Sequence, residues 1–170
     1  MSQGHLPNVA DSIQVVLPVA PANHSWAVPA IVVGGVIVAV VDLLYAIVVY
    51  SPRQPIFIPQ TIASGLLGPQ AYSEGAYSCV LGILLHFSIA LSAAAVYFLA
   101  SRYLRFLITH AVASGLAYGS VVFAVMHMVV LPLSAVPKTS IRPAYMAIEF
   151  VEHLLFVGLP IALSVRHYSR

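Results

Sequence analysis

Four long apolar stretches dominate this sequence and limit what it can fold into. They cover residues 28–50, 76–100, 107–133 and 144–165. Each meets the length of a membrane-spanning helix, about 20 mostly apolar residues. Only 7% of the residues are charged, whereas a soluble domain carries about 25%. The sequence therefore predicts an all-α integral membrane protein, a four-helix bundle.

The domain organisation is simple. We predict an N-terminal tail over residues 1–26 and a single transmembrane domain over residues 27–170, because four spans with short connections leave no room for a second domain. The tail contains no Lys or Arg and has prolines at positions 7, 18 and 21. It therefore does not look like a secretory signal, and it is expected to end at an interfacial Trp26.

A shorter helix is predicted between the first and second spans. Residues 56–68 place apolar side chains at helical spacing with small polar residues opposite, and prolines and glycine punctuate both ends of this segment. The segment is too short to cross a bilayer. An interfacial or re-entrant helix fits best, and a simple surface loop is the alternative.

Six ionisable side chains lie within the predicted spans. A charge at the centre of a bilayer costs at least ~2.5–3.5 kcal/mol, so such residues usually face the interior of the bundle and mark a site. At about 1.5 Å of rise per residue, all six lie roughly 8–15 Å from the same side of the membrane. They are Asp42, His86, His127, Glu149, Glu152 and His153.

Three kinds of chemistry suit carboxylates and histidines at one depth. A single divalent transition metal could be held by imidazole nitrogen and carboxylate oxygen, and the candidate ligands are His86, His127, His153, Glu149 and Asp42. The same groups, together with Glu152, could relay protons. They could also hydrogen-bond to one another and fix the helix register without further function.

Other cofactors and enzyme classes receive less support. Di-iron bundles use paired Glu-x-x-His motifs, but here Glu149 and Glu152 precede His153 by four residues and one residue. Haem could be bracketed by His86 and His153, although the small residues of the spans favour tight packing over a haem-sized gap. No nucleophile elbow, phosphate loop, dinucleotide fingerprint or HExxH motif is present, so the sequence does not indicate an enzyme.

Small residues indicate how the helices meet. Gly115 and Gly119 form a GxxxG pattern in the third span, which allows close backbone contact in lipid. We interpret it as packing within the bundle and not as a dimerisation signal.

The distribution of basic residues gives a weak orientation. With four spans, one side of the membrane holds Arg102, Arg105, Arg166 and Arg170, and the other holds Arg53, Lys138 and Arg142. The more basic side is favoured as cytoplasmic, which places both termini in the cytoplasm. These charges form no basic stripe, so no nucleic-acid partner is expected.

The second half of the chain contains a series of short motifs between about Gly82 and Arg166. The motifs are His86 with Tyr97, Gly115 followed by His127-Met128 and Pro132, Glu149-x-x-x-His153, and Ser164-Val165-Arg166. They give the chain a resemblance to the YagU-like bacterial inner-membrane proteins. It implies a four-helix protein of the bacterial inner membrane and an association with tolerance of acid. The chain departs from the family pattern at Asp42, where a basic residue is expected, and in a shortened outer loop.

Two functional hypotheses follow. In the first, a small multi-pass inner-membrane protein binds a metal ion or relays protons at the six buried residues. In the second, the chain is an accessory subunit of a larger membrane complex or a homo-oligomer, and these residues only hold the helices in register. The lipid bilayer is the partner expected in both.

Overall fold

A computed structural model describes residues 26–138 and 142–169. Within these ranges the chain is helical and has no strand. The helices are α1 (Ala27–Tyr50), α2 (Phe57–Leu67), α3 (Ala76–Tyr103), α4 (Phe106–Thr109), α5 (Ala111–Leu133) and α6 (Pro143–Tyr168). Helices α1, α3, α5 and α6 are long and apolar enough to cross a membrane. The predicted all-α bundle, with a short helix between its first two spans, is confirmed; the tail over residues 1–25 lies outside the described ranges.

The third span begins later than residue 107. A separate short helix, α4, precedes it, and His110 breaks the chain direction with φ −111° and ψ 46°. The Tyr97 hydroxyl donates a hydrogen bond of 3.0 Å to the carbonyl of Leu107 and so ties α4 to α3. The predicted range 107–133 therefore runs across a break that hydropathy alone does not register.

The four long helices pack in the order α3, α1, α6, α5. Helix α1 lies between α3 and α6, and α5 packs along α6. At the contact between α1 and α6, the Ser164 hydroxyl donates to the carbonyl of Ala30 at 3.0 Å, next to Gly34. Helices α3 and α5 approach each other much less closely. They are joined where the Tyr118 hydroxyl donates to the carbonyl of Ala93 at 2.7 Å.

Glycines allow α5 and α6 to cross at close range. A Cβ atom on Gly158 would collide with the carbonyl oxygen of Gly115 and would lie 2.6 Å from the nitrogen of Gly119. A Cβ atom on Gly119 would collide with the carbonyl of His153. The interpretation of Gly115 and Gly119 as packing residues within the bundle is confirmed.

Helices α5 and α6 each contain a π-helical segment just before a proline. The segments are Met126–Val130 and His153–Gly158, followed two residues later by Pro132 and Pro160. A proline ring crowds the carbonyl group four residues earlier and offers it no N–H. In both helices that carbonyl group belongs to the π-helical segment, whose turn is wider than that of an α-helix. Such turns are frequent at functional sites, and these two carry His127 and His153.

The short helix α2 packs one face onto α3. Pro59, Gln60, Ala63 and Ser64 are buried, and a Cβ atom on Gly82 of α3 would collide with the Pro59 carbonyl oxygen. The Gln60 side chain donates to the Ser78 hydroxyl at 3.4 Å. Ile56, Phe57 and Leu66 remain exposed, as expected for a helix at a membrane interface. The alternative of a simple loop is wrong.

Candidate functional site

The six predicted site residues form three pairs of a carboxylate and an imidazole. We call these six residues the polar cluster. All four long helices contribute to it. The pairs are Asp42 with His86 (Oδ2 to Nε2, 3.5 Å), Glu149 with His127 (Oε2 to Nε2, 3.5 Å) and Glu152 with His153 (Oε2 to Nδ1, 3.6 Å).

Two carboxyl groups of the polar cluster also meet each other. The Asp42 carboxyl of α1 and the Glu152 carboxyl of α6 lie near each other and line the same cavity. Glu152 is only 4% exposed, and its Oε1 atom receives no hydrogen bond from an N–H or hydroxyl group of the described residues. Two carboxylates that face each other in low-dielectric surroundings repel when both are ionised. A proton shared by Asp42 and Glu152 would remove this repulsion.

The backbone fixes the tautomer of each histidine. His86 Nε2 lies 3.1 Å from the carbonyl oxygen of Ala39, and His153 Nδ1 lies 2.9 Å from that of Glu149. Because a carbonyl oxygen only accepts, both nitrogens carry a proton and donate. The same nitrogens lie 3.5 Å from Asp42 Oδ2 and 3.6 Å from Glu152 Oε2, so the backbone bonds hold the two imidazoles beside the carboxyl groups.

When the His127 imidazole is neutral, no hydrogen atom lies between its Nε2 atom and Glu149 Oε2. His127 Nδ1 lies 3.1 Å from the carbonyl of Phe123 and therefore carries the proton. The Nε2 lone pair then faces Glu149 Oε2 at 3.5 Å, and this buried nitrogen has no hydrogen-bond partner among the described residues. One added proton would convert this contact between two acceptors into a hydrogen bond.

A cavity of about 680 Å³ adjoins the polar cluster. It occupies the space left where α3 and α5 diverge beyond the contact of Tyr118 with Ala93, and α2 covers one side with Phe57, Ile58 and Ile62. Five residues of the polar cluster line it: Asp42, His86, Glu149, Glu152 and His153. His127 does not line the cavity; it lies behind Glu149, which does.

Three further lining residues were not predicted as site residues. Tyr50, Arg142 and Tyr145 lie at the end of the cavity nearest the α2 side of the bundle. The tyrosines stack edge to face with ring centroids 5.9 Å apart, and the Tyr50 hydroxyl is buried without a partner among the described residues. For Tyr145, one signal in the sequence pointed to the site: it precedes Glu149 by one helical turn. Its position near the end of a span, however, favours membership of the usual aromatic belt.

The proposed metal ligands are divided among separate pairs. Within residues 26–138 and 142–169, no three His, Cys, Asp or Glu side chains converge as a metal site. His86, His127 and His153 each direct one nitrogen to a backbone carbonyl. A single metal held by these residues stays a prediction.

Comparisons with known protein families, with curated protein sequences and with solved structures find no match for this chain. The residues and their geometry therefore carry the functional argument.

Proposed function

We propose that this multi-pass membrane protein takes up and releases protons at the polar cluster. The observation that carries the proposal is a pair of partly buried contacts between acceptors, Asp42 with Glu152 and His127 with Glu149. In a bilayer interior such contacts are costly without a proton, because the low dielectric strengthens the repulsion between them. Each contact is therefore a place where a proton binds.

The cavity gives protons access to both places. Asp42 and Glu152 line it, and so does Glu149, the partner of His127. The His153 imidazole lies 3.6 Å from Glu152 and also lines the cavity. Imidazole gains and loses a proton within the physiological pH range, so His153 can exchange protons beside Glu152.

We further propose that the protein lies in a bacterial inner membrane, with both termini in the cytoplasm, and that it is related to the YagU-like proteins. Four residues of the resemblance are members of the polar cluster: His86, His127, Glu149 and His153. An association with tolerance of acid accords with a site that binds protons. The excess of basic residues on the side of the termini supports the orientation.

Infrared difference spectroscopy between acidic and neutral pH tests the proton site. We expect a protonated carboxyl band that shifts in D₂O and disappears in Asp42→Asn and Glu152→Gln. Glu74→Gln is the matched control, since Glu74 is exposed just before α3, and it should keep the band. A wild-type protein without the band at any pH, or a band unchanged in both cluster variants, would overturn the proposal.

The same samples separate the two alternatives. If the polar cluster is a metal site, elemental analysis would find a stoichiometric metal in the wild-type protein. The same metal would be missing from the His86→Ala and His153→Ala variants. If the chain is an accessory subunit held in register by the cluster, the carboxyl band would not respond to pH.

A further inference from the structure

We propose that the cavity beside the polar cluster binds a neutral, lipid-soluble phenol, which enters from the bilayer between α3 and α5. The phenol hydroxyl donates a hydrogen bond to Glu152 Oε1, and the phenol ring packs against the aromatic side chains of the wall. The inference follows from the size of the cavity, its opening toward lipid and two buried polar atoms on its wall. It does not depend on proton uptake at the polar cluster.

The cavity has the size and surface of a small-molecule site. Its volume of about 680 Å³ lies within the range of roughly 300–1,000 Å³ that is usual for ligand pockets. Apolar side chains from α1, α2, α3, α5 and α6 form most of the wall, among them Val38, Ile62, Ile89, Val122 and Val157. A largely apolar molecule can therefore leave the lipid for this space without losing favourable contacts.

The cavity opens toward lipid between α3 and α5. These two helices stand at opposite ends of the packing order and are joined where Tyr118 meets Ala93. On the cavity wall, Ile89 of α3 is 40% exposed and Met126 of α5 is half-buried. Acyl chains surround the apolar exposed side chains of a membrane-spanning bundle, so an apolar molecule reaches this opening without crossing water.

Two buried polar atoms on the wall favour a ligand that carries a hydroxyl group. Glu152 is 4% exposed, and within the described ranges no N–H or hydroxyl group donates to its Oε1 atom. The buried Tyr50 hydroxyl also lacks a partner there, and the two side chains lie near each other on the same wall. A buried acceptor without a donor is costly, and a carboxyl oxygen accepts whether or not the group is ionised. A ligand hydroxyl can donate to Glu152 and accept from Tyr50.

The charges on the wall favour a neutral ligand over an anionic lipid. Three carboxyl groups, those of Asp42, Glu149 and Glu152, line the cavity with one guanidinium, that of Arg142. The carboxylates repel the headgroup of a fatty acid or an anionic phospholipid, and any ion loses its hydration when it is buried. A neutral hydroxyl group donates its hydrogen bond without either cost.

Aromatic rings on the wall favour a phenol over an aliphatic alcohol. Tyr50 and Tyr145 stack edge to face with ring centroids 5.9 Å apart, and Phe57 of α2 lines the same cavity. Aromatic pairs stabilise a contact beyond the area that they bury. A ligand ring beside Tyr50 gains this contribution and also brings its hydroxyl group near the two buried polar atoms.

Titration calorimetry of the full chain in detergent with 4-butylphenol tests this inference, after subtraction of a titration into detergent alone. We expect about one bound molecule per chain. The methyl ether 4-butylanisole cannot donate a hydrogen bond and should bind at least about tenfold more weakly. The alcohol 4-butylcyclohexanol keeps the hydroxyl group but has no aromatic ring, so it should bind severalfold more weakly than the phenol. These comparisons need only the wild-type protein.

Substitutions on the wall test the position of the ligand. Glu152→Leu removes the acceptor and should weaken binding of 4-butylphenol at least about tenfold, and Tyr50→Phe should weaken it severalfold. Glu74→Leu and Tyr103→Phe are the matched controls, because both side chains are exposed and neither lines the cavity. Both controls should bind the phenol as the wild type does.

A cavity-filling variant separates this inference from the proton proposal. Ala93→Phe places a ring on the cavity wall, so it should abolish phenol binding while the pH-dependent carboxyl band remains. Equal affinity for 4-butylphenol and either analogue, or undiminished binding in Ala93→Phe or in Glu152→Leu, would overturn the inference. If 4-butylphenol fails to bind while the wild-type carboxyl band is present, the phenol site is refuted and the proton site stands.

Discussion

Substituting Gly82 by alanine should displace α2 and open the cavity. The Cβ atom would collide with the carbonyl oxygen of Pro59 and would lie 2.6 Å from its carbonyl carbon and 3.1 Å from its Cα. All three atoms belong to the backbone, so no side-chain rotation relieves the collision. Helix α2 must move away from α3, and it carries Phe57, Ile58 and Ile62 of the cavity wall with it.

The expected cost follows from overpacking. Inserting a methyl group into a well-packed contact typically costs about 1–3 kcal/mol. In a chain of this size each kcal/mol lowers the unfolding midpoint by about 2–4 °C. Gly82→Ala should therefore lower the midpoint by roughly 2–12 °C.

Gly65→Ala is the matched control because it adds the same methyl group to the neighbouring helix. A Cβ atom there meets nothing closer than Ser134 Cβ at 3.8 Å. Replacing a helical glycine by alanine without a clash stabilises by roughly 0.5–1 kcal/mol, so this variant should unfold at or slightly above the wild-type midpoint. Thermal unfolding in detergent, followed by helical circular dichroism, measures both. Equal midpoints for Gly82→Ala and Gly65→Ala would refute the reasoning.

Two further substitutions test the contacts between the long helices. Gly158→Ala should lower the free energy of unfolding by about 1–3 kcal/mol, because its Cβ atom would collide with the backbone of α5. An unfolding midpoint no lower than that of Gly65→Ala would contradict the close crossing of α5 and α6. Ser164→Ala removes the hydrogen bond to Ala30 and should cost only about 0.6 kcal/mol, the average for such bonds between membrane helices. A loss above 2 kcal/mol in the same unfolding assay would mean that Ser164 does more than donate this bond.

The membership of the polar cluster could be read from the sequence, but its pairing could not. Hydropathy identifies the spans, and an ionisable residue within a span stands out because lipid cannot accommodate its charge. Hydropathy does not say which way each residue faces, since these helices are apolar nearly all round. The meeting of Asp42 with Glu152 depends on α1 packing between α3 and α6, which small residues such as Gly34 and Gly35 permit.

The sequence by itself determined the class of the protein, the number of its spans, the short helix after the first span and the six residues of the polar cluster, because each follows from local composition and spacing. The tertiary structure alone decided the order of the helices, the break at His110 and the cavity. These features depend on how the helices pack against one another. The contacts between helices join atoms from distant parts of the chain, and no window of sequence contains them.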